Sequence, residues 1–148
     1  MSTYRRMLVH IIFATKNRVQ VLPDAARTEL FAYIMGLCRN KDCFPYRIGG
    51  YREHLHLLID LHPSLALADF VRIVKTSSSA WMKENGNFPR FRHWQDGYAA
   101  FTVDWDDREQ AIHYVANQEE HHREMSFLDE FKLLMTKMDV VIDERYLP

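Results

Sequence analysis

The sequence contains few of the residues that mark secreted, membrane-spanning or low-complexity proteins. Only two of its 148 residues are cysteines, and Cys38 and Cys43 do not form a CxxC motif. Reduced thiols are the preferred interpretation, with a local disulfide as the alternative. No apolar run approaches the roughly 18 residues that a membrane-spanning helix needs, and residues 1–18 lack a signal-peptide cleavage pattern. We therefore expect one cytoplasmic domain over residues 1–148, without a membrane partner.

The charges of the chain are unevenly distributed, although they almost cancel overall. Residues 1–92 carry 14 lysines and arginines against 7 acidic residues, whereas residues 93–148 carry 5 against 13. This split indicates a basic surface that can bind a polyanion, beside an acidic region that can serve self-association. The alternative is a chance distribution that folding mixes into one surface.

Hydrophobic periodicity predicts an alternation of strands and helices. The apolar run over 5–15 is typical of a central strand buried on both faces, and the apolar spacing over 64–86 is typical of a helix. In chain order we predict a strand at 5–15, a helix at 22–40 with Asp24 as N-cap, and a hairpin of strands at 43–51 and 53–61. A helix at 64–86 follows, and then a strand within 93–104 that begins after the Asp96-Gly97 turn. A helix at 106–125 and a helix at 126–139 capped by Ser126 complete the chain. This order predicts an α+β fold of the ferredoxin-like, split-βαβ type with an antiparallel sheet and trailing helices.

Two histidines, His54 and His56, lie two residues apart in the predicted strand "EHLHLLIDL". Side chains alternate along a strand, so both imidazoles must face the same side of the sheet. Neighbouring imidazoles suit a divalent metal and leave coordination positions open for a substrate. The alternative is that one or both pack in the core with satisfied nitrogens. The sequence assigns no role to His10, His62, His113, His121 and His122.

Tyr114 and Gln118 lie one turn apart on the helix predicted at 106–125, on a side that is not its main apolar face. A phenol in this position can act as a nucleophile, and an amide oxygen can complete the ligands of a hard metal ion. The alternative is a half-buried tyrosine that is hydrogen-bonded to solvent.

Basic residues recur on the face of the helix at 64–86 that is opposite its apolar stripe, and others follow that helix. Aromatic residues are interleaved with the later group, so the segment can hold phosphates and stack unpaired bases. The alternative is an exposed face whose charges only solubilise the helix. The candidate DNA-binding residues are Arg72, Lys75, Lys83, Arg90 and Arg92, with His93 beside them and Phe88, Phe91 and Trp94 as the aromatics.

Four segments in this order resemble the single-tyrosine HUH transposases of the IS200-like family, the enzymes of small bacterial and archaeal insertion sequences. They are "HIIFATKNR", the His-hydrophobic-His motif "HLHLLIDL", "WQDGYAAFTV" and the tyrosine segment "YVANQEEHH". The resemblance covers almost the whole chain. It implies that Tyr114 is the nucleophile and that His54, His56 and Gln118 bind Mg²⁺ or Mn²⁺.

The resemblance also implies the reaction and the partners. Single-stranded DNA marked by a hairpin would be cleaved and rejoined through a 5′-phosphotyrosine link. The protein would be a homodimer whose active sites can be shared between subunits, associated with the nucleoid. Three alternatives stay open: a REP-associated tyrosine transposase that acts on repeated hairpins, a catalytically silent DNA-binding dimer of the same fold, and a generic metal hydrolase that uses His54 and His56.

Overall fold

The computed structural model describes residues 3–148, in which four strands and five α-helices follow one another with three short 3-10 turns. The strands are β1 (Leu8–Ala14), β2 (Phe44–Gly50), β3 (His54–Asp60) and β4 (Ala99–Thr102). The helices are α1 (Arg27–Asn40), α2 (Leu67–Glu84), α3 (Arg108–Ala116), α4 (Gln118–His121) and α5 (Phe127–Lys137). The predicted order of elements is confirmed.

The strands form one antiparallel sheet in the order β2-β3-β1-β4. This is the ferredoxin-like order, in which the two central strands are the first and third in the sequence, so the predicted fold class is confirmed. Every residue of β1 and of β3 is buried, which explains why both read as nearly continuous apolar runs.

The two faces of the sheet carry different chemistry. Leu55, Leu57 and Ile59 of β3 pack in the larger core, together with apolar residues of α1 and α2. The alternate residues of β3 face the other side, where α3 and α5 contribute the smaller apolar clusters. His54 and His56 belong to this second face, because they pair with Ala14 and Ile12 of β1, which lie in the α5 cluster.

The predicted N-cap of the first helix is wrong. Helix α1 begins at Arg27 after Ala26, and no side chain caps it. Asp24 instead accepts hydrogen bonds from Arg27 at 2.6 Å and from Arg52 at 2.9 Å. These two guanidinium groups, Arg52 first, hold the pKa of the Asp24 carboxyl well below its usual range. A carboxylate that satisfies two arginines is no longer directed at the first amides of the helix.

The helix predicted at 106–125 is interrupted. Asn117 departs from helical geometry with φ −99° and ψ 24°, and it separates α3 from α4. Its side-chain amide contacts the ring of His113, an example of the local hydrogen bonding that makes asparagine a poor helix former. The helix predicted at 126–139 is confirmed, because Ser126 accepts a hydrogen bond from the Asp129 amide at the start of α5. Within residues 3–148, no helix is long and apolar enough to span a bilayer.

Candidate active site

Strand β3 delivers His54 and His56 to the face of the sheet that α3, α4 and α5 cover. Both side chains are fully buried. The Nδ1 atom of His54 lies 2.6 Å from a carboxylate oxygen of Glu53, and the Nδ1 atom of His56 lies 2.7 Å from Nε2 of His10. Each ring is therefore held through Nδ1, and each Nε2 points toward the interior of one cluster. Outer partners of this kind orient histidines that bind metals.

Gln118 reaches this cluster from the start of α4. Its Oε1 atom lies 3.1 Å from Nε2 of His54 and 2.9 Å from Nε2 of His122, while its side-chain nitrogen donates to the backbone carbonyl of Tyr114 at 3.1 Å. The amide is thus fixed with its oxygen facing the imidazoles. The structure brings together all three residues that the resemblance implied as metal ligands.

Glu130 of α5 lies at the centre of the cluster, and it was not predicted from the sequence. Its Oε1 atom is 3.2 Å from Nε2 of His56, 3.3 Å from Nε2 of His122 and 3.7 Å from Nε2 of His54. Burial alone would raise the pKa of Glu130, but the hydrogen bonds from His122 and His56 outweigh it and hold that pKa well below its usual range. An acidic residue in the first turn of a helix is ordinarily explained by the helix dipole, so no local pattern singles it out.

His122 was also missed, although a signal for it was present. It lies four residues after Gln118, a spacing that places two side chains on one side of a helix. Burial alone would lower the pKa of His122, but the hydrogen bond to Glu130 more than compensates and raises it. Ligand atoms of His54, His122 and Glu130 lie within 4.8 Å of one another.

The donor set fits a divalent cation. Imidazole nitrogens, an amide oxygen and a carboxylate oxygen face one another, and these are groups that bind Mn²⁺ and related ions. The buried Nε2 of His121 lies 3.1 Å from Oε2 of Glu130 without the geometry of a hydrogen bond, and no other group of residues 3–148 gives it one. Such an orphaned buried nitrogen is expected where a ligand completes the site.

The Tyr114 hydroxyl donates a hydrogen bond of 2.5 Å to Oε2 of Glu130. Its ring centroid lies 5.7 Å from that of His56 and 6.0 Å from that of His10. Burial, and then the negative charge of Glu130, raise the pKa of Tyr114 above its ordinary value. The tyrosine therefore lies beside His56 of its own chain, so that Tyr114 and the candidate ligands form one continuous cluster.

Three of the five candidate DNA-binding residues line one groove of about 790 Å³ along α2. These are Arg72, Lys75 and Lys83, and His93 joins them, whereas Arg90 and Arg92 are exposed outside the groove lining. The ammonium of Lys75 is engaged internally, because it donates to the carbonyls of Gln95 and Gly97 at 2.7 and 2.6 Å. Burial lowers the pKa of Lys75 to about 8.

The fold and the composition of this cluster agree with the class of proteins that the sequence resembles, the transposases of small insertion sequences. The family model described as "Transposase IS200 like" matches residues 3–118, and the chain belongs to this family. The transposases of insertion sequence element IS200 from Salmonella typhimurium (strain LT2) and Salmonella typhi are each 26% identical to it over 99 residues. That match covers 64% of this chain and 65% of the length of those relatives.

Two solved structures are similar to the fold. A crystal structure of a Deinococcus radiodurans R1 protein assigned as a transposase matches with a TM-score of 0.61 and 25% identity, over 80% of this chain and 98% of that chain. The structure of a REP-associated tyrosine transposase bound to a REP hairpin matches with a TM-score of 0.59 and 18% identity, over 82% of this chain and 74% of that chain. The second likeness shows the fold alone.

Proposed function

We propose that this protein is a transposase that cleaves and rejoins single-stranded DNA through a covalent bond to Tyr114. The observation that carries the proposal is the position of the Tyr114 hydroxyl, which contacts Glu130 at 2.5 Å within the same buried cluster as His54, His56 and Gln118. Membership of the IS200-like transposase family supports it.

The proposed step is a transesterification. The Tyr114 oxygen forms a bond to the phosphorus of the scissile phosphate, and the bond from that phosphorus to the 3′ oxygen breaks. The phenol loses its proton, the 3′ oxygen takes one up, and the products are a 5′-phosphotyrosine and a free 3′-hydroxyl. A phenol is a weak nucleophile at neutral pH and a good leaving group, which suits a step that must be reversed for rejoining. The phosphodiester energy stays in the covalent link, so rejoining needs no ATP.

His54, His56 and Gln118 are the proposed ligands of a divalent cation, Mg²⁺ or Mn²⁺. When bound, the cation supplies Lewis-acid polarisation of the phosphate. The chain itself does the positioning. Glu53 and His10 hold the two histidine rings through Nδ1, and Gln118 is tied to the backbone of the residue that carries the nucleophile.

DNA binding is proposed for the groove along α2. Arg72 and Lys83 are exposed and line it, and the one ion pair of Arg72, with Asp69 at 3.5 Å, is itself exposed, so both side chains can meet phosphates. Lys75 instead holds the segment that forms the opposite wall. The hairpin substrate and the homodimer remain predictions. The meeting of Tyr114 with His56 of the same chain supports active sites that are complete within one subunit.

Action on REP hairpins is the second candidate, and the likeness in fold to the REP-associated transposase supports it. A catalytically silent DNA-binding protein is disfavoured, because the four implied catalytic residues are present and clustered.

The test is a search for the covalent adduct. Since a 5′-phosphotyrosine retains the downstream part of the cut strand, the hairpin oligonucleotides must be labelled at the 3′ end. We expect a labelled band at the size of protein plus DNA on a denaturing gel with Mn²⁺ present, and none with Tyr114→Phe. Tyr4→Phe, at an exposed tyrosine outside the cluster and outside the lining of the α2 groove, is the matched control. An adduct of unchanged size in Tyr114→Phe would move the nucleophile to another residue.

A further inference from the structure

Glu130 lies outside the part of the chain that the family model matches, which ends at residue 118. It is nevertheless fixed firmly in the site. Helix α5 packs on the sheet through Phe127 and Met135, which are buried with Ile12 of β1, and Phe127 also stacks on the ring of His54 at 4.2 Å. The helix that supplies the carboxylate is therefore part of the core on this face of the sheet.

The two carboxylate oxygens of Glu130 contact different groups, one the candidate metal ligands and the other the proposed nucleophile. Oε1 faces the Nε2 atoms of His56 and His122, where the metal ligands converge. Oε2 accepts the hydrogen bond of the Tyr114 hydroxyl at 2.5 Å. No other carboxylate of residues 3–148 contacts both the nucleophile and the histidines.

The charge of Glu130 points to a cation as well. Its side chain is 2% exposed, and the basic side chains that face its carboxylate within residues 3–148 are all histidines. A buried carboxylate is stabilised by a positive charge close to it, and no lysine or arginine of residues 3–148 supplies one here. A divalent cation at the Nε2 atoms would supply that charge while the imidazoles bind it in their neutral form.

We propose that Glu130 is a further catalytic residue, which binds the divalent cation through Oε1 and aligns the Tyr114 hydroxyl through Oε2. The ligand role stands on the cluster itself, and the aligning role rests on the function proposed above for Tyr114. One carboxylate then links the cation to the nucleophile, and the angle at which the phenol oxygen meets the phosphate is set by α5.

Cation binding tests the ligand role without any activity measurement. Binding of Mn²⁺ alone, in the absence of DNA, is measured by calorimetry and by the electron paramagnetic resonance signal of free Mn²⁺. We expect Glu130→Ala and the nearly isosteric Glu130→Gln to weaken binding about tenfold or more. Asp129→Asn removes the same charge from an exposed neighbour on α5 and should leave the affinity unchanged. Circular dichroism confirms that each variant is folded.

Adduct formation at saturating Mn²⁺ tests the aligning role. We expect the single-turnover rate of Glu130→Gln to fall about tenfold or more below that of the wild type, with the rate of Asp129→Asn unchanged. Unchanged Mn²⁺ affinity in both Glu130 variants would overturn the ligand role. An unchanged rate in Glu130→Gln would overturn the aligning role. A faster rate would overturn it as well, since the carboxylate would then block the position of the phosphate. If the wild type binds Mn²⁺ through Glu130 and forms no adduct with any hairpin, the ligand role stands and the transposase proposal fails.

Discussion

Gly49 of β2 lies so close to Val115 of α3 that a Cβ atom at position 49 would overlap the Val115 carbonyl oxygen. Gly49 is the ladder partner of His56, and Val115 follows Tyr114 directly. This contact therefore sets how closely the helix of the proposed nucleophile approaches the strand of the candidate metal ligands.

Gly49→Ala is expected to push α3 away from the sheet. We expect a loss of about 1–3 kcal/mol in the free energy of unfolding, measured by urea denaturation. Adduct formation should slow more than DNA binding weakens, because Tyr114 and Gln118 move relative to the histidines. Gly36→Ala is the control, because a Cβ at this position of α1 meets nothing within 4 Å. This substitution should raise the free energy of unfolding by about 0.5–1 kcal/mol, since alanine favours a helix more than glycine does. Full activity and stability in Gly49→Ala would show that α3 can move away from the sheet without destabilising the fold or the site.

Mixing two inactive variants tests where the active site is completed. Tyr114 contacts Glu130 and lies beside His56 within one chain, so an equimolar mixture of Tyr114→Phe and His56→Ala should form no more adduct than either variant alone. The mixture should be denatured and refolded together, so that subunits exchange. Recovery of a substantial fraction of wild-type adduct would instead require a tyrosine and a histidine pair from different subunits.

Removal of the cation should abolish cleavage and spare binding. His56→Ala, or wild-type protein in EDTA, is expected to form no adduct while its hairpin affinity changes less than about threefold, because affinity rests on phosphate and base contacts. His113→Ala changes an exposed histidine on α3 and should keep full activity. Cleavage by His56→Ala in the presence of EDTA would show that the reaction does not depend on a metal bound at this site.

The metal-free protein should lose stability in mild acid. Burial lowers the pKa of His10 to about 3 and that of His56 to about 4. Both rings stay neutral in the folded state while the unfolded chain, with a pKa near 6.5, binds protons, so stability falls as the pH falls below that value. We expect a decrease of roughly 4–5 kcal/mol between about pH 6.5 and 4.5, measured by urea denaturation.

Other groups of the cluster act outside this pH window. The raised pKa of His122 gives a stabilisation that is complete below pH 6.5 and disappears as the pH rises through its folded-state pKa. The depressed pKa of Glu130 gives one that is present above pH 4.5 and is lost in stronger acid. His10→Asn should therefore reduce the acid-induced loss by about half, since it removes one of the two buried neutral rings. His62→Asn, outside the cluster, should leave the loss unchanged.

Residues of the α2 groove should separate into DNA contacts and structural contacts. Arg72→Ala with Lys83→Ala is expected to weaken binding to every single-stranded DNA and to reduce the slope of log affinity against log salt by about 0.7 for each phosphate that is no longer neutralised. Lys75→Met should mainly lower thermal stability, because its ammonium joins the carbonyls of Gln95 and Gly97. Lys41→Ala, at the exposed end of α1, is the charge control. If the salt dependence of binding is unchanged in the double variant, the DNA does not bind in the α2 groove.

The sequence predicted the elements and the family, because both depend on local patterns. The apolar runs of β1 and β3, the i, i+2 histidines and the Ser126 cap of α5 can each be recognised within a few residues. The helical spacing of Tyr114 and Gln118 also predicted that they would lie on one side.

Glu130 could not be predicted in the same way. It is 74 residues from His56, and its importance comes only from packing of α5 over the second face of the sheet. Nor could periodicity foresee that Asp24 would satisfy two arginines rather than a helix terminus, since Arg52 lies 28 residues away. Tertiary contacts outweighed local preference at both positions.

The residues of the cluster are spread over almost the whole length of the chain. His10 belongs to the first strand, His54 and His56 to the third, Tyr114 to a late helix, and Glu130 to the last α-helix that the structure describes. A chain that ends at a premature stop after residue 125 would still contain the proposed nucleophile and both histidines of β3. It would lack Phe127, which covers the His54 ring, and with it the apolar cover of that face of the sheet. We expect such a nonsense product to be cleared by cellular proteases, so that unfinished copies with a tyrosine and histidines do not accumulate.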